Sequence, residues 1–98
     1  MDRDAVIQTL KSNQAELRLR GVEHTAVFGS IARGEATPAS DIDLLIDIDP
    51  AANVGVFEYV GIIQFLASLF PVNVDVANRA QLKALVRPSA ERDAVYAF

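Results

Sequence analysis

Residues 40–49 read SDIDLLIDID, with Asp41, Asp43, Asp47 and Asp49 set between Ile42, Leu44, Ile46 and Ile48. Alternation of apolar and acidic residues has the two-residue period of a half-buried β-strand. Four carboxylates with no Lys or Arg among them repel one another, and a merely solvated face does not need them. Residues on the same face of a strand lie about 6.6–6.8 Å apart, so Asp41 and Asp43 can aim at one cation cluster. Asp47 lies roughly 13 Å beyond Asp43 at that rise, and joins them only through a bulge. The alternation therefore divides. Asp41 and Asp43 are the functional pair, and Asp47 and Asp49 are solvated strand-end charges.

The remaining segments arrange themselves around this strand. Asp2 to Leu19 reads as one amphipathic helix that buries Val6, Ile7, Leu10 and Leu17, stopped by Gly21. HTAVF (24–28) is a short strand, and GSIARGEATPAS (29–40) is a turn with one helical turn after Ser30. Pro50 cannot continue a central strand. Val54 to Phe70 is helical by length, Pro71 ends it, and VNVDVA (72–77) is a third strand. Gln81–Val86 and Ala90–Phe98 read as two short closing helices. The order predicts a single α/β (α+β) domain over residues 1–98, with helices packed on a small mixed sheet of three strands or slightly more. A crossover helix joins the second and third strands, so these should lie parallel and adjacent.

That adjacency gives Asp75 its meaning. It sits between Val74 and Val76, where an unpaired charge is costly. Beside the second strand, it would bring three carboxylates to one edge of the sheet. Hard cations with oxygen ligands, Mg²⁺ first, are the natural occupants. The upstream loop supplies a complementary half. Gly29-Ser30 follows a strand and opens a helical turn, so backbone N–H groups and a hydroxyl point outward together, as phosphate requires. Gly34 permits a tight conformation, and Ser40 can cap the loop just before the acidic strand. Arg33 in the same loop is either a phosphate contact or a surface charge. His24 has no second His or Cys to act with it.

Composition narrows the class of partner. The formal net charge is −4 and no basic cluster is present, which argues against direct nucleic-acid binding. With no Cys there are no disulfides or thiolate metal sites. No basic-then-apolar leader opens the chain, and its most apolar stretch carries Glu58 and Gln64, so a soluble cytoplasmic protein is expected, with no membrane span. The helix 54–70 is apolar nearly all round. One stripe, Val56, Tyr59, Val60, Ile63, Leu66 and Phe70, would pack on the sheet. A second, Ile62, Phe65 and Leu69, should meet another subunit in a homodimer or hetero-oligomer, the alternative being deeper burial under the terminal helices.

GSIARGEATPASDIDLLIDID resembles the signature of the DNA polymerase β-like nucleotidyltransferase superfamily: Gly-Ser, a glycine soon after, then Ser-Asp-x-Asp-Leu. Within it the chain is similar to minimal nucleotidyltransferases, the MNT antitoxin type paired with HEPN-domain toxins. The resemblance implies that Gly29 and Ser30, with Arg33 and Ser40 as further candidates, hold a nucleoside triphosphate. It gives Asp41 and Asp43 to two Mg²⁺ ions, and makes Asp75 a third carboxylate acting as metal ligand or base. It further implies ATP as substrate and transfer of AMP to a tyrosine hydroxyl of the toxin partner. Neutralisation by contact alone, with a weak or vestigial site, is the alternative from another class. Transfer to a small molecule is disfavoured by the chain's size. Pro71, Val72 and Asn73 stand where relatives often carry a Gly-Arg-like pair.

Overall fold

The computed structural model describes residues 1–37, 39–82, 88 and 92–98. Helix α1 (Arg3–Ser12) begins where the Asp2 carboxylate accepts the Ala5 N–H at 2.8 Å, satisfying one of the free donors of the first turn. It stops before α2 (Gln14–Leu19), so residues 2–19 form two helices rather than the one expected. Asn13 makes the break. Its backbone leaves the helical region (φ −109°, ψ 13°) while its side-chain amide donates to the Thr9 carbonyl at 2.8 Å. Val6, Leu10 and Leu17 are nonetheless fully buried, as their spacing predicts. Gly21 then turns the chain at φ +97°, where an added Cβ would lie 2.6 Å from Val54 Cγ2.

Strand β1 (Val22–Phe28) runs into a single turn of helix, α3 (Gly29–Ala32). After the loop comes β2 (Ile42–Ile48), then a 3₁₀ turn at Pro50–Ala52 capped by the Asp49 carboxylate, which accepts the Ala51 N–H at 2.9 Å. The crossover helix α4 (Val56–Ser68) leads to β3 (Val74–Asn78), a 3₁₀ turn at Arg79–Gln81 and finally β4 (Val95–Tyr96). The sheet has four strands in the order β3-β2-β1-β4. Strand β2 pairs antiparallel with β1 and parallel with β3, so the expected adjacency holds.

The chain end differs from expectation. Ala90–Phe98 is not a helix throughout: Val95 and Tyr96 pair antiparallel with Val27 and Ala26. The Ala97 N–H donates to the Thr25 carbonyl at 2.9 Å, and the Thr25 N–H donates to the Phe98 carbonyl at 3.2 Å. An unpaired strand edge offers these groups, and a Val-Tyr-Ala-Phe segment fits a pleated surface better than a helix. Of Gln81–Val86, residues 83–86 lie outside the described residues, and Gln81 closes the 3₁₀ turn.

Ile42, Leu44 and Ile46 form the buried face of β2 and join the core with Val6, Leu10, Leu17, Val27, Ile62 and Leu66. Helix α4 packs by a face rotated from the one expected: Leu66 and Phe70 of the expected stripe are buried and Tyr59 packs against the core, whereas Val56 and Val60 do not. Ile62 and Leu66 are fully buried, Phe65 and Leu69 pack against the same core, and Phe70 is 7% exposed. The apolar side chains left outside are Val56, Phe57 and Val60, at 79%, 90% and 44% exposure. Of the stripe expected to meet another subunit, Ile62 is thus core, and Phe65 and Leu69 are half-buried against it. Both stripes satisfy helical spacing, and only the rotation of α4 over the sheet separates them. Ile62→Ala should accordingly cost about 2–5 kcal/mol in urea unfolding, whereas Phe57→Ala should stay within about 0.5 kcal/mol of wild type. Equal losses would mean the face is assigned wrongly.

Candidate active site

The site forms where β1 ends and β2 and β3 begin. Asp43 stands directly opposite Asp75 across the parallel β2–β3 pair, and Asp41 precedes β2 by one residue. On the other side Asp43 is the register partner of Phe28, the last residue before Gly29. Three distant segments thus deliver Gly29-Ser30, Asp41/Asp43 and Asp75 to one end of the sheet, as the sequence order predicts.

Gly29 touches this cluster through its lack of a side chain. Its φ is +73°, a conformation L-residues rarely adopt, and an added Cβ would collide with Asp43 Oδ2. The backbone of the Gly29-Ser30 corner is therefore pressed against a carboxylate of the acidic strand. Ser30 follows as the second residue of α3, and its carbonyl accepts the Glu35 N–H at 2.9 Å. Ser40 serves the loop as its position predicts. Its Oγ accepts the Thr37 N–H at 2.9 Å, and its own N–H donates to the Thr37 carbonyl at 3.0 Å.

The electrostatics match a site built for a cation. Among the described residues, no ion pair or hydrogen bond engages the side chain of Asp41, Asp43 or Asp75. Burial, and then the charges of Asp75 and Asp41, push the Asp43 carboxyl above its ordinary range, while Arg33 pulls it the other way. Crowded, unpaired carboxylates are the donor set that a hard divalent ion stabilises. No three His, Cys, Asp or Glu side chains among the described residues already stand grouped as a metal cage. The backbone register brings the three together, and side-chain rotation would have to complete a shell. In chemistry the residues fit Mg²⁺.

Asp47 and His24 fall outside the cluster, at the far end of the same strands. Asp47 is not a solvated charge. Its Oδ1 accepts from Arg79 Nε at 2.6 Å, and its side chain is only 14% exposed. His24 is the register partner of Asp47 and meets Tyr96 edge-to-face, with centroids 6.3 Å apart. Arg33 lies between the two readings its position allows. It is close enough to act on Asp43, yet its guanidinium is held by Glu35 at 3.1 Å and Asp93 at 3.3 Å. The Asp93 contact has no sequence signal, because it spans sixty positions.

Comparison with known proteins agrees with this geometry. Residues 6–97 match the family model described as a nucleotidyltransferase domain. The protein adenylyltransferase MntA of Thermococcus cleftensis is 33% identical over 88 residues, covering 89% of this chain and 87% of that protein. A protein solved under the name minimal nucleotidyltransferase superimposes with a TM-score of 0.80 at 27% identity, over 97% of this chain and 95% of that one. A toxin–antitoxin structure with AMP-PNP shares the fold at a TM-score of 0.68 and 18% identity, over 100% of this chain and 73% of that one. With a match to nearly the whole family model and the Gly-Ser corner seated on the acidic strand, the chain belongs to the nucleotidyltransferase-domain family, as a minimal nucleotidyltransferase of the MntA type.

Proposed function

We propose that this chain transfers AMP from ATP to a tyrosine hydroxyl of a HEPN-type toxin, and so acts as its antitoxin. The observation that carries the proposal is the opposition of Asp43 and Asp75 beside the Gly29 corner. The Thermococcus relative is a protein adenylyltransferase, which supports AMP as the group and a protein as the acceptor. The toxin–antitoxin assemblies that share the fold, among them MntA–HpeT, support the toxin as partner.

Each residue has a task in this reading. The Gly29 and Ser30 N–H groups and the Ser30 hydroxyl bind triphosphate oxygens, with Arg33 adding a charge. Ser40 keeps the loop closed over the start of β2. Asp41, Asp43 and Asp75 would hold two Mg²⁺ ions, which when bound neutralise the attacking and leaving oxygens of an in-line displacement. The acceptor oxygen bonds to the α-phosphorus, the bridge to the β-phosphate breaks, and pyrophosphate leaves. The hydroxyl proton passes to Asp75 or to water. No helix among the described residues is long and apolar enough to cross a membrane, which suits a cytoplasmic reaction with ATP.

The test uses the full chain with the HEPN-type toxin, Mg²⁺ and ATP labelled at either the α or the γ phosphorus. Label from the α position should remain on a toxin tyrosine while pyrophosphate is released. Retention of γ label, or neutralisation of the toxin with no label at all, would overturn the proposal. The second outcome would favour an antitoxin that acts by contact.

A further inference from the structure

Arg33 follows α3 directly, and its guanidinium is held from two directions. Nε donates to Glu35 Oε2 at 3.1 Å, and Nη1 donates to Asp93 Oδ2 at 3.3 Å. Glu35 is a neighbour in the chain and is 64% exposed at its side chain. Asp93 comes from the segment entering β4 and is the more sheltered partner, at 29%. Strand β4 pairs with β1 at Ala26 and Val27, and β1 runs straight into Gly29 and Ser30. The carboxylate that grips Arg33 is therefore carried by the element flanking the nucleotide corner.

We infer that Asp93 is a positioning residue, which holds the Arg33 guanidinium at the corner so that an incoming triphosphate meets a cation already in place. The inference rests on the reading of Gly29, Ser30 and Arg33 as the triphosphate site. Fixing an unrestrained Arg side chain on a ligand costs it rotamer freedom. Anchoring it beforehand removes much of that cost from binding, which is the general benefit of preorganisation. The two anchors occupy Nε and Nη1 and leave Nη2 without a partner among the described residues. Its donors remain for phosphate oxygens.

The test is equilibrium binding of Mg²⁺–ATP to the full chain, which needs no acceptor protein. Asp93→Asn should weaken binding about three- to tenfold, the range of one charge-assisted contact on a half-exposed pair. Asp93→Glu, which keeps the charge, should recover most of the loss. Adding Asp93→Asn to Arg33→Ala should change nothing further, because Asp93 acts only through Arg33. Independent, multiplying losses in the double variant would overturn the inference. So would wild-type or tighter binding by Asp93→Asn in a protein whose Arg33→Ala variant binds weakly. If Arg33→Ala itself binds ATP like wild type, the positioning role falls together with the phosphate reading of Arg33.

Discussion

Asp41→Asn combined with Asp43→Asn should abolish Mg²⁺-dependent nucleotidyl transfer while the metal-free protein stays folded and no less stable. The two carboxylates stand with Asp75 at one end of the sheet, and no described side chain pairs with any of the three. Removing two like charges relieves repulsion and replaces two of the three anionic carboxylates with neutral amides, which hold a hard divalent ion far less well. The pH dependence supplies an independent check. Asp43 has its pKa raised in the fold, by burial first and then by Asp75 and Asp41. Between the ordinary aspartate value and the raised one, the native state binds more protons than the unfolded chain. Stability without metal should therefore fall as pH rises through that window. The double variant should lose this contribution to the pH dependence. Undiminished transfer by the folded variant would sink the metal-site assignment, and a wild-type profile that rises through the window would contradict the crowding.

Asp75→Ala and Asp47→Ala should fail in opposite ways. Asp75 is opposite Asp43 at the site, so its loss should lower transfer on the order of 100-fold or more, with little change in stability. Asp47 is four residues further along β2 and holds Arg79 at 2.6 Å. Its loss should leave transfer near wild type and cost about 1–3 kcal/mol, because the charge-assisted hydrogen bond between Asp47 and Arg79 is removed. Transfer assays beside urea unfolding of both variants would decide the matter. Comparable losses of activity in two folded variants would refute the geometry of the strand.

The pairing of β2 with β3 was legible because a crossover helix of this length permits few other arrangements. The gathering of the acidic residues at one end of the sheet was legible for a related reason. Alternation along one strand, a glycine–serine corner and a single acid inside an apolar strand are local patterns, and local patterns survive in sequence. The contact between Gly29 and Asp43 was half visible: the glycine could be singled out, but not the carboxylate pressed against it.

The half-buried acidic strand, the parallel partner carrying Asp75 and the burial of Val6, Leu10 and Leu17 follow from local patterns along the chain. That α4 turns Ile62 inward and Val56 and Val60 outward came from the packing of the fold, since helical spacing allows either stripe to face the sheet. Tertiary structure also decided that Val95 and Tyr96 become a strand, because the preference of so short a segment yields to the free edge of β1. The pairs Asp47–Arg79 and Arg33–Asp93 were beyond sequence reasoning for the same cause. A charge pair depends on where two side chains end in space, and no periodicity along the chain encodes that.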